Sequence, residues 1–269
     1  HFMSYMQLGI DLGTTYSVAA KLNSDDEPKI IRNNNGYNKT PSVVQIRENE
    51  TLVGSPAVRE KMMYPDQTIE RVKRHMGEDD WSVEVAGEEY TPEAVSARIL
   101  AKIKGDVEEM TDESVEEVVI TVPAYFGNKE REATMNAARA AGFNEENGFE
   151  DGDVSLLAEP IAACMRYGAN AVGETVFVYD LGGGTFDATV VEITETANGD
   201  LDYRVDGTEG GQRLGGEDFD DKLYDVLKST MLDEGHPDPD DNDALRFDIY
   251  ENVRELKHAL SDADEASIG

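Results

Sequence analysis

The residues best placed to do chemistry are carboxylates set beside glycines. Thr175-Val176-Phe177-Val178-Tyr179 leads into Asp180-Leu181 and then Gly182-Gly183-Gly184-Thr185-Phe186-Asp187, and Ala188-Thr189-Val190-Val191 leaves as a second β-branched run. A hairpin turn needs one or two glycines for its positive-φ positions. Three in succession, framed by Asp180 and Asp187, clear side chains from consecutive backbone N–H groups and leave an anion-binding concavity. The carboxylates can hold a hydrated divalent cation, and Thr185 can donate a hydroxyl hydrogen bond to a phosphate. Leu8-Gly9-Ile10-Asp11-Leu12-Gly13-Thr14-Thr15-Tyr16-Ser17 repeats the design, Asp11-Leu12-Gly13 matching Asp180-Leu181-Gly182. The repetition points to two related lobes, each offering one phosphate-binding hairpin to a shared cleft. Against two unrelated flexible hairpins, a nucleotide-phosphate clamp is the better reading.

The elements that must carry these hairpins are legible as alternating strands and helices. Pro28-to-Ile31 reads as a strand, Asn33-to-Asn38 as a turn, and Thr40 onward as another strand. Pro56-to-Met63 suggests a short helix, Thr68-to-His75 a segment closing at Gly77, and Trp81-to-Val85 a strand in which the lone tryptophan packs. Thr91 caps a helix whose buried face is Val95, Ile99, Ile103 and Val107. Val118-to-Val122 is a core strand. Asn128 is expected to cap an alanine-rich helix ending at Gly142. Val154-to-Leu157 is a short strand, and Glu159-Pro160 opens another helix. Asn198-Gly199 predicts a two-residue turn, Gly210-Gly211 and Gly215-Gly216 punctuate a loop, and helices begin near Phe219 and Phe247.

Composition sets the outer bounds. The 269 residues carry 57 Asp plus Glu against 24 Lys plus Arg, a formal net charge of −33. Such a field disfavours nucleic acid and anionic membranes as partners. Acidity of this size raises the question of disorder, but 39% hydrophobic content and repeated strand patterns argue for a fold. Self-repulsion on this scale fits a protein meant for high salt, where screening is short-ranged, so a halophilic source is expected. The single cysteine, Cys164, lies in an apolar helical run and reads as a core residue with no internal disulfide. No signal peptide or membrane span is visible, which makes the cytoplasm the expected compartment. His1-Phe2 before Met3 reads as an added remnant.

Six stretches, in order, resemble the ATPase domain of the seventy-kilodalton heat-shock chaperones, a branch of the actin-like ATPase superfamily. They are Gly9-to-Ser17, Val72-Lys73-Arg74-His75-Met76-Gly77, Val122-Pro123-Ala124-Tyr125-Phe126, Ala158-Glu159-Pro160, Asp180-to-Asp187 and Leu214-to-Asp220. The resemblance implies an α/β, actin-like fold with two lobes around a nucleotide cleft. The first lobe would span 3–172, with its upper part at about 42–91. The second would span 173–269, with a base at 173–213 and an upper part at 214–269. It implies a stress-response chaperone that hydrolyses ATP to ADP and phosphate and couples nucleotide state to client peptides. Asp11 and Asp180, with Glu159, would hold Mg²⁺ mostly through water, with K⁺ nearby. Gly13, Thr14, Thr15, Tyr16, Gly182, Gly183, Gly184 and Thr185 would cradle the phosphates. Lys73 would orient the attacking water and stabilise the transferring phosphoryl group, and Asp187 would position water from the far side. Gly215, Gly216, Lys257 and Ser261 would face adenosine, and Pro123 and Arg131 would relay the nucleotide state.

Departures from the family pattern are specific. Arg254 stands where an acidic residue binds the ribose, and His258 where an arginine packs on adenine. Ser155, Ala158 and Ile161 replace the residues that engage J-domain partners, which puts that partner in doubt, while the resemblance implies client peptides and a nucleotide-exchange factor for the full-length protein. Members of the family that the chain resembles continue past the equivalent of Gly269, so the second lobe is expected to be incomplete. On that basis the chain is expected to bind ATP weakly, to hydrolyse little, and to self-associate. The rival classes are a sugar- or acetate-kinase-like phosphotransferase, for which Pro123-to-Phe126 and Leu214-to-Asp220 are the wrong pattern, and an actin-like filament subunit, which the charge disfavours.

Overall fold

The computed structural model describes residues 5–25, 27–211 and 213–267. The chain opens with β1 (Tyr5–Asp11), β2 (Tyr16–Leu22), β3 (Pro28–Ile31) and β4 (Thr40–Pro41), followed by β5 (Val44–Arg47), β6 (Glu50–Val53), α1 (Ser55–Glu60) and β7 (Thr68–Ile69). Next come the hairpin β8 (Val83–Val85) and β9 (Glu88–Tyr90), then α2 (Pro92–Thr111), β10 (Ser114–Val122), α3 (Asn128–Ala140), β11 (Val154–Ala158) and α4 (Glu159–Tyr167). A second hairpin system, β12 (Thr175–Leu181), β13 (Phe186–Glu195) and β14 (Leu201–Gly211), precedes α5 (Gly216–Asp233) and α6 (Asp243–Leu260).

The main sheet runs β11-β10-β1-β2-β3, with β4 added to β2. β1, β10 and β11 are parallel, whereas β1–β2 and β2–β3 are antiparallel. Strict alternation buries Met6, Leu8 and Ile10 in β1 and Val118, Ile120 and Val122 in β10. Helices α2 and α3 cover the sheet, α2 with Val95, Ile99, Ile103 and Val107 and α3 with Ala133, Ala137 and Ala138. Burying each large aliphatic of this set contributes roughly 1.5–3 kcal/mol relative to exposure. β12-β13-β14 form a separate antiparallel sheet, and α5 and α6 share a small second core of Tyr224, Ile249 and Val253.

The parallel register places the site. Asp11 pairs with Thr121, and Val122 pairs with Ala158, the residue before Glu159. The carboxyl ends of three adjacent strands therefore deliver their polar residues to one crevice, the usual ligand position of open α/β sheets.

Four local expectations differ. Gly127, not Asn128, holds the cap position of α3, and no side chain caps it; Asn128 is already helical. The Asn198-Gly199 turn is wider than two residues, because Thr196 N–H donates to Asp200 O (2.8 Å) and Asp200 N–H to Thr196 Oγ1 (3.1 Å). Gly210-Gly211 end β14 instead of forming a loop, since a bare backbone is needed where Gly210 passes Asp187. Trp81 precedes β8 and stacks on His75, ring centroids 4.5 Å apart, so its packing role holds while its strand does not.

Candidate functional site

A cleft of about 420 Å³ is lined by Asp11, Gly13, Thr14, Thr15, Tyr16, Lys73, Glu159, Asp180, Gly182, Gly183 and Thr185, together with Thr121, Ala162 and Ala163. The two glycine hairpins meet there tip to tip. Asp180 lies opposite Asp187 and Leu181 opposite Phe186, and Gly182 N–H closes the turn on Thr185 O at 2.9 Å. A side chain at Gly183 would collide with Thr15, and one at Gly184 would reach Thr14 Cβ and Arg74 Nε, each at 2.8 Å. Only glycine lets the hairpins approach this closely.

Three carboxylates face one cation across this cleft. Lys73 sits in a 3₁₀ turn, Val72–His75, and is almost fully buried, with Nζ 2.7 Å from Glu159 Oε1. Glu159 is the first residue of α4, placed by Pro160 in the opening turn. Thr121 donates to Asp11 Oδ1 at 3.2 Å. Burial raises the carboxyl pKa of Asp11, which Lys73 only partly offsets and Glu159 reinforces; Asp180 is raised by burial and then by Glu159. Asp11 is open to the cleft on one side and walled by protein on the others, so both its solvent exposure and its raised pKa follow from the geometry.

Asp187 lies behind the hairpin, buried, and not on the cleft wall. Its Oδ2 accepts Ala124 N–H (2.9 Å) and its Oδ1 accepts Thr208 Oγ1–H (3.2 Å). This ties the Pro123-to-Phe126 loop to the second sheet. Arg131 closes the same loop by donating from Nε to Phe126 O at 3.0 Å.

Gly184, Gly215, Gly216, Lys257 and Ser261 also stand off the wall. Lys257 Nζ donates to Gly216 O (2.6 Å) and pairs with Asp220 Oδ1 (2.6 Å). Arg254 lies 3.7 Å from the other Asp220 oxygen. Asp220 is 1% exposed, so two cations neutralise one buried carboxylate, which gives Arg254 a structural reason to stand where it does. Ser261 donates to Lys257 O at 3.3 Å just beyond α6.

Several residues beyond those singled out in the sequence hold the cleft together. Thr15 Oγ1 donates to Glu217 Oε1 (2.8 Å), Arg71 Nε lies 2.8 Å from Glu217 Oε2, and Arg74 pairs with Asp218 at 2.6 Å. Arg71 also reaches Tyr250 Oη (2.5 Å) and Asp221 (3.2 Å) from a left-handed backbone, φ 60°, a strain of about 1–3 kcal/mol that its acidic partners offset. Arginines beside Lys73 in so acidic a chain were the available signal; which carboxylates they would meet was not.

The carboxylates set an expected pH dependence. Burial raises Asp11, Asp180, Asp187 and Glu217. Between the unfolded values near 4 and these raised ones, the fold binds more protons than the unfolded chain, so stability falls as pH rises through that window. Asp221 behaves oppositely: burial lifts it, but hydrogen bonds from Tyr250 and Arg71 outweigh that and leave it lowered. Its contribution is present above the unfolded value and lost in acid. The melting temperature of the ligand-free chain should therefore rise as pH is lowered from neutrality toward the unfolded carboxylate values of about 4, and fall again below them. Calorimetric scans in KCl check this, and a monotonic loss on acidification would contradict it.

The donor set suits a hydrated cation. Among the described residues no three His, Cys, Asp or Glu side chains stand close enough to ligate a bare metal ion, whereas Mg²⁺ keeps several waters and takes one or two carboxylates. Among the described residues, also, no helix is long and apolar enough to cross a membrane.

Comparison with known proteins agrees with the geometry. The family model described as Hsp70 protein matches residues 7–269. The chain is 43% identical over 263 residues to the chaperone protein DnaK of two strains of Halobacterium salinarum, covering 97% of this chain and 39% of each relative. It thus spans about two fifths of the length of those relatives. The chain belongs to the Hsp70 family, whose ATPase domain has the actin-like fold seen here.

Proposed function

We propose that this chain is the ATP-binding and ATP-hydrolysing part of a molecular chaperone that couples nucleotide state to client-peptide binding. The observation that carries the reading is the meeting of two glycine hairpins over Asp11, Asp180, Glu159 and Lys73. The first lobe is taken as 3–172 and the partial second lobe as 173–269. Gly13 to Tyr16 and Gly182 to Thr185 offer N–H and hydroxyl donors to the β- and γ-phosphates. Asp11, Asp180 and Glu159 would hold Mg²⁺ through its waters, and when bound it would supply neutralisation of charge developing on the phosphoryl oxygens. Lys73, buried against Glu159, orients the attacking water and stabilises the transition state. Asp187 keeps lone pairs for a water beyond its two hydrogen bonds. Gly215, Gly216, Lys257 and Ser261 belong to the adenosine side, Lys257 bracing the glycine loop through Gly216 O. Pro123 and Arg131 relay the state through the loop that Asp187 grips. K⁺ near the phosphates, a cytoplasmic and halophilic setting, a heat-shock role and a nucleotide-exchange factor complete the reading, with the J-domain partner the weakest element.

Incubation with Mg-ATP at high KCl tests the reaction type. Slow release of inorganic phosphate is expected, in keeping with the weak hydrolysis anticipated for this chain. Phosphate appearing instead on an added sugar or acetate would place the protein with the kinases, and nucleotide-driven sedimentation would place it with the filament formers.

A further inference from the structure

Asp187 is 4% exposed, and among the described residues no cation pairs with it. A buried carboxylate without a counter-ion depends on its hydrogen bonds for its orientation. One comes from Ala124 N–H and the other from Thr208 Oγ1–H. Thr208 in turn lies 2.9 Å from Thr189 Oγ1, and Thr189 is fully buried. An ionised carboxylate only accepts, so Thr208 spends its single proton on Asp187, and Thr189 must donate to Thr208. The hydroxyl pair is therefore polarised in one direction, toward the carboxylate.

The strand register builds this arrangement. Asp187 and Thr189 share a face of β13, with Gly210 opposite the first and Thr208 opposite the second. A Cβ at Gly210 would lie 2.8 Å from Asp187 Oδ1, so the glycine leaves the space in which the carboxylate leans toward Thr208. We propose that Thr208 is a positioning residue that, backed by Thr189, fixes the Asp187 carboxylate and through it the Ala124 loop. The structural part stands on these contacts; its kinetic consequence rests on the hydrolytic reading above.

Two readouts separate the parts. In the ligand-free chain, Thr208→Val should speed hydrogen exchange at the Ala124 amide by about tenfold, while Thr208→Ser stays within about twofold of the parent. Thr208→Ala, which also lacks the hydroxyl, serves if the valine variant does not fold. Unchanged Ala124 exchange in the hydroxyl-free variant overturns the proposal whatever the activity. In single-turnover hydrolysis the same variant should lose about tenfold in rate with Mg-ATP affinity changed by less than about twofold, and serine should restore it. Equal loss in the serine variant, or loss through affinity alone, also overturns it. A parent chain that releases no phosphate sinks the hydrolytic reading and leaves Thr208 to be decided by exchange.

Discussion

Replacing Lys73 by alanine in the intact protein should slow single-turnover ATP hydrolysis by about 10²-fold or more while Mg-nucleotide still binds. Lys73 is the cation on a wall otherwise set with Asp11, Asp180 and Glu159, and its ammonium lies 2.7 Å from Glu159 Oε1. In a nearly buried position that charge is screened little, so on the proposed role it would act on a developing phosphoryl charge more strongly than a surface lysine would. Its loss leaves three carboxylates with a stronger pull on a hydrated cation, so binding persists where chemistry fails. Quenched-flow measurement of phosphate release, beside a nucleotide titration, distinguishes the two. A near-normal rate would remove Lys73 from the reaction; lost binding at a normal bound-state rate would make it a ligand anchor only.

Salt should have the second large effect, and its sign results from two opposed terms. The formal charge of −33 repels itself across the surface, and raising salt from 0.1 M to 1 M shortens the Debye length from about 10 Å to about 3 Å. The same screening weakens attractions, including Arg71 to Glu217 and Arg74 to Asp218. Those pairs are half-buried or buried and in contact at 2.8 Å and 2.6 Å, where mobile ions enter poorly. Repulsion over long distances is lost first, so the net effect is stabilising. The melting temperature should climb by roughly 10 °C or more from low to multimolar KCl. A flat or falling curve would show that the acidic surface does not limit folding.

The paired glycine hairpins were readable because their signal is local: Asp-Leu-Gly follows an apolar strand twice in one chain, and the two turns do meet at one cleft. The helix of Val95, Ile99, Ile103 and Val107 was equally plain, its period matching its burial. What escaped was set by register and by distance along the chain. Nothing near Thr208 reveals that a shift in the β13–β14 ladder brings it to Asp187. Thr121 gained a role only because β10 lies parallel to β1 with Asp11 beside it. Arg254 looked like a change in the adenosine side, yet it answers a buried Asp220 that local sequence does not mark as buried. The two-residue turn at Asn198-Gly199 failed for a smaller reason, since Thr196 could pair with Asp200 through both backbone and side chain.

Phosphate recognition by the paired hairpins is the proposed core of the function, with the metal ion and the adenine ring secondary. Titration calorimetry in multimolar KCl, comparing ATP with AMP in the presence of Mg²⁺, tests it most directly. ATP should bind at least about 10²-fold more tightly than AMP, since each lost phosphate contact of about 1.4 kcal/mol is a factor of ten. Gly183→Val, which places a side chain against Thr15, should erase that difference. Equal affinity for ATP and AMP, or an ATP preference that survives Gly183→Val, would contradict the account.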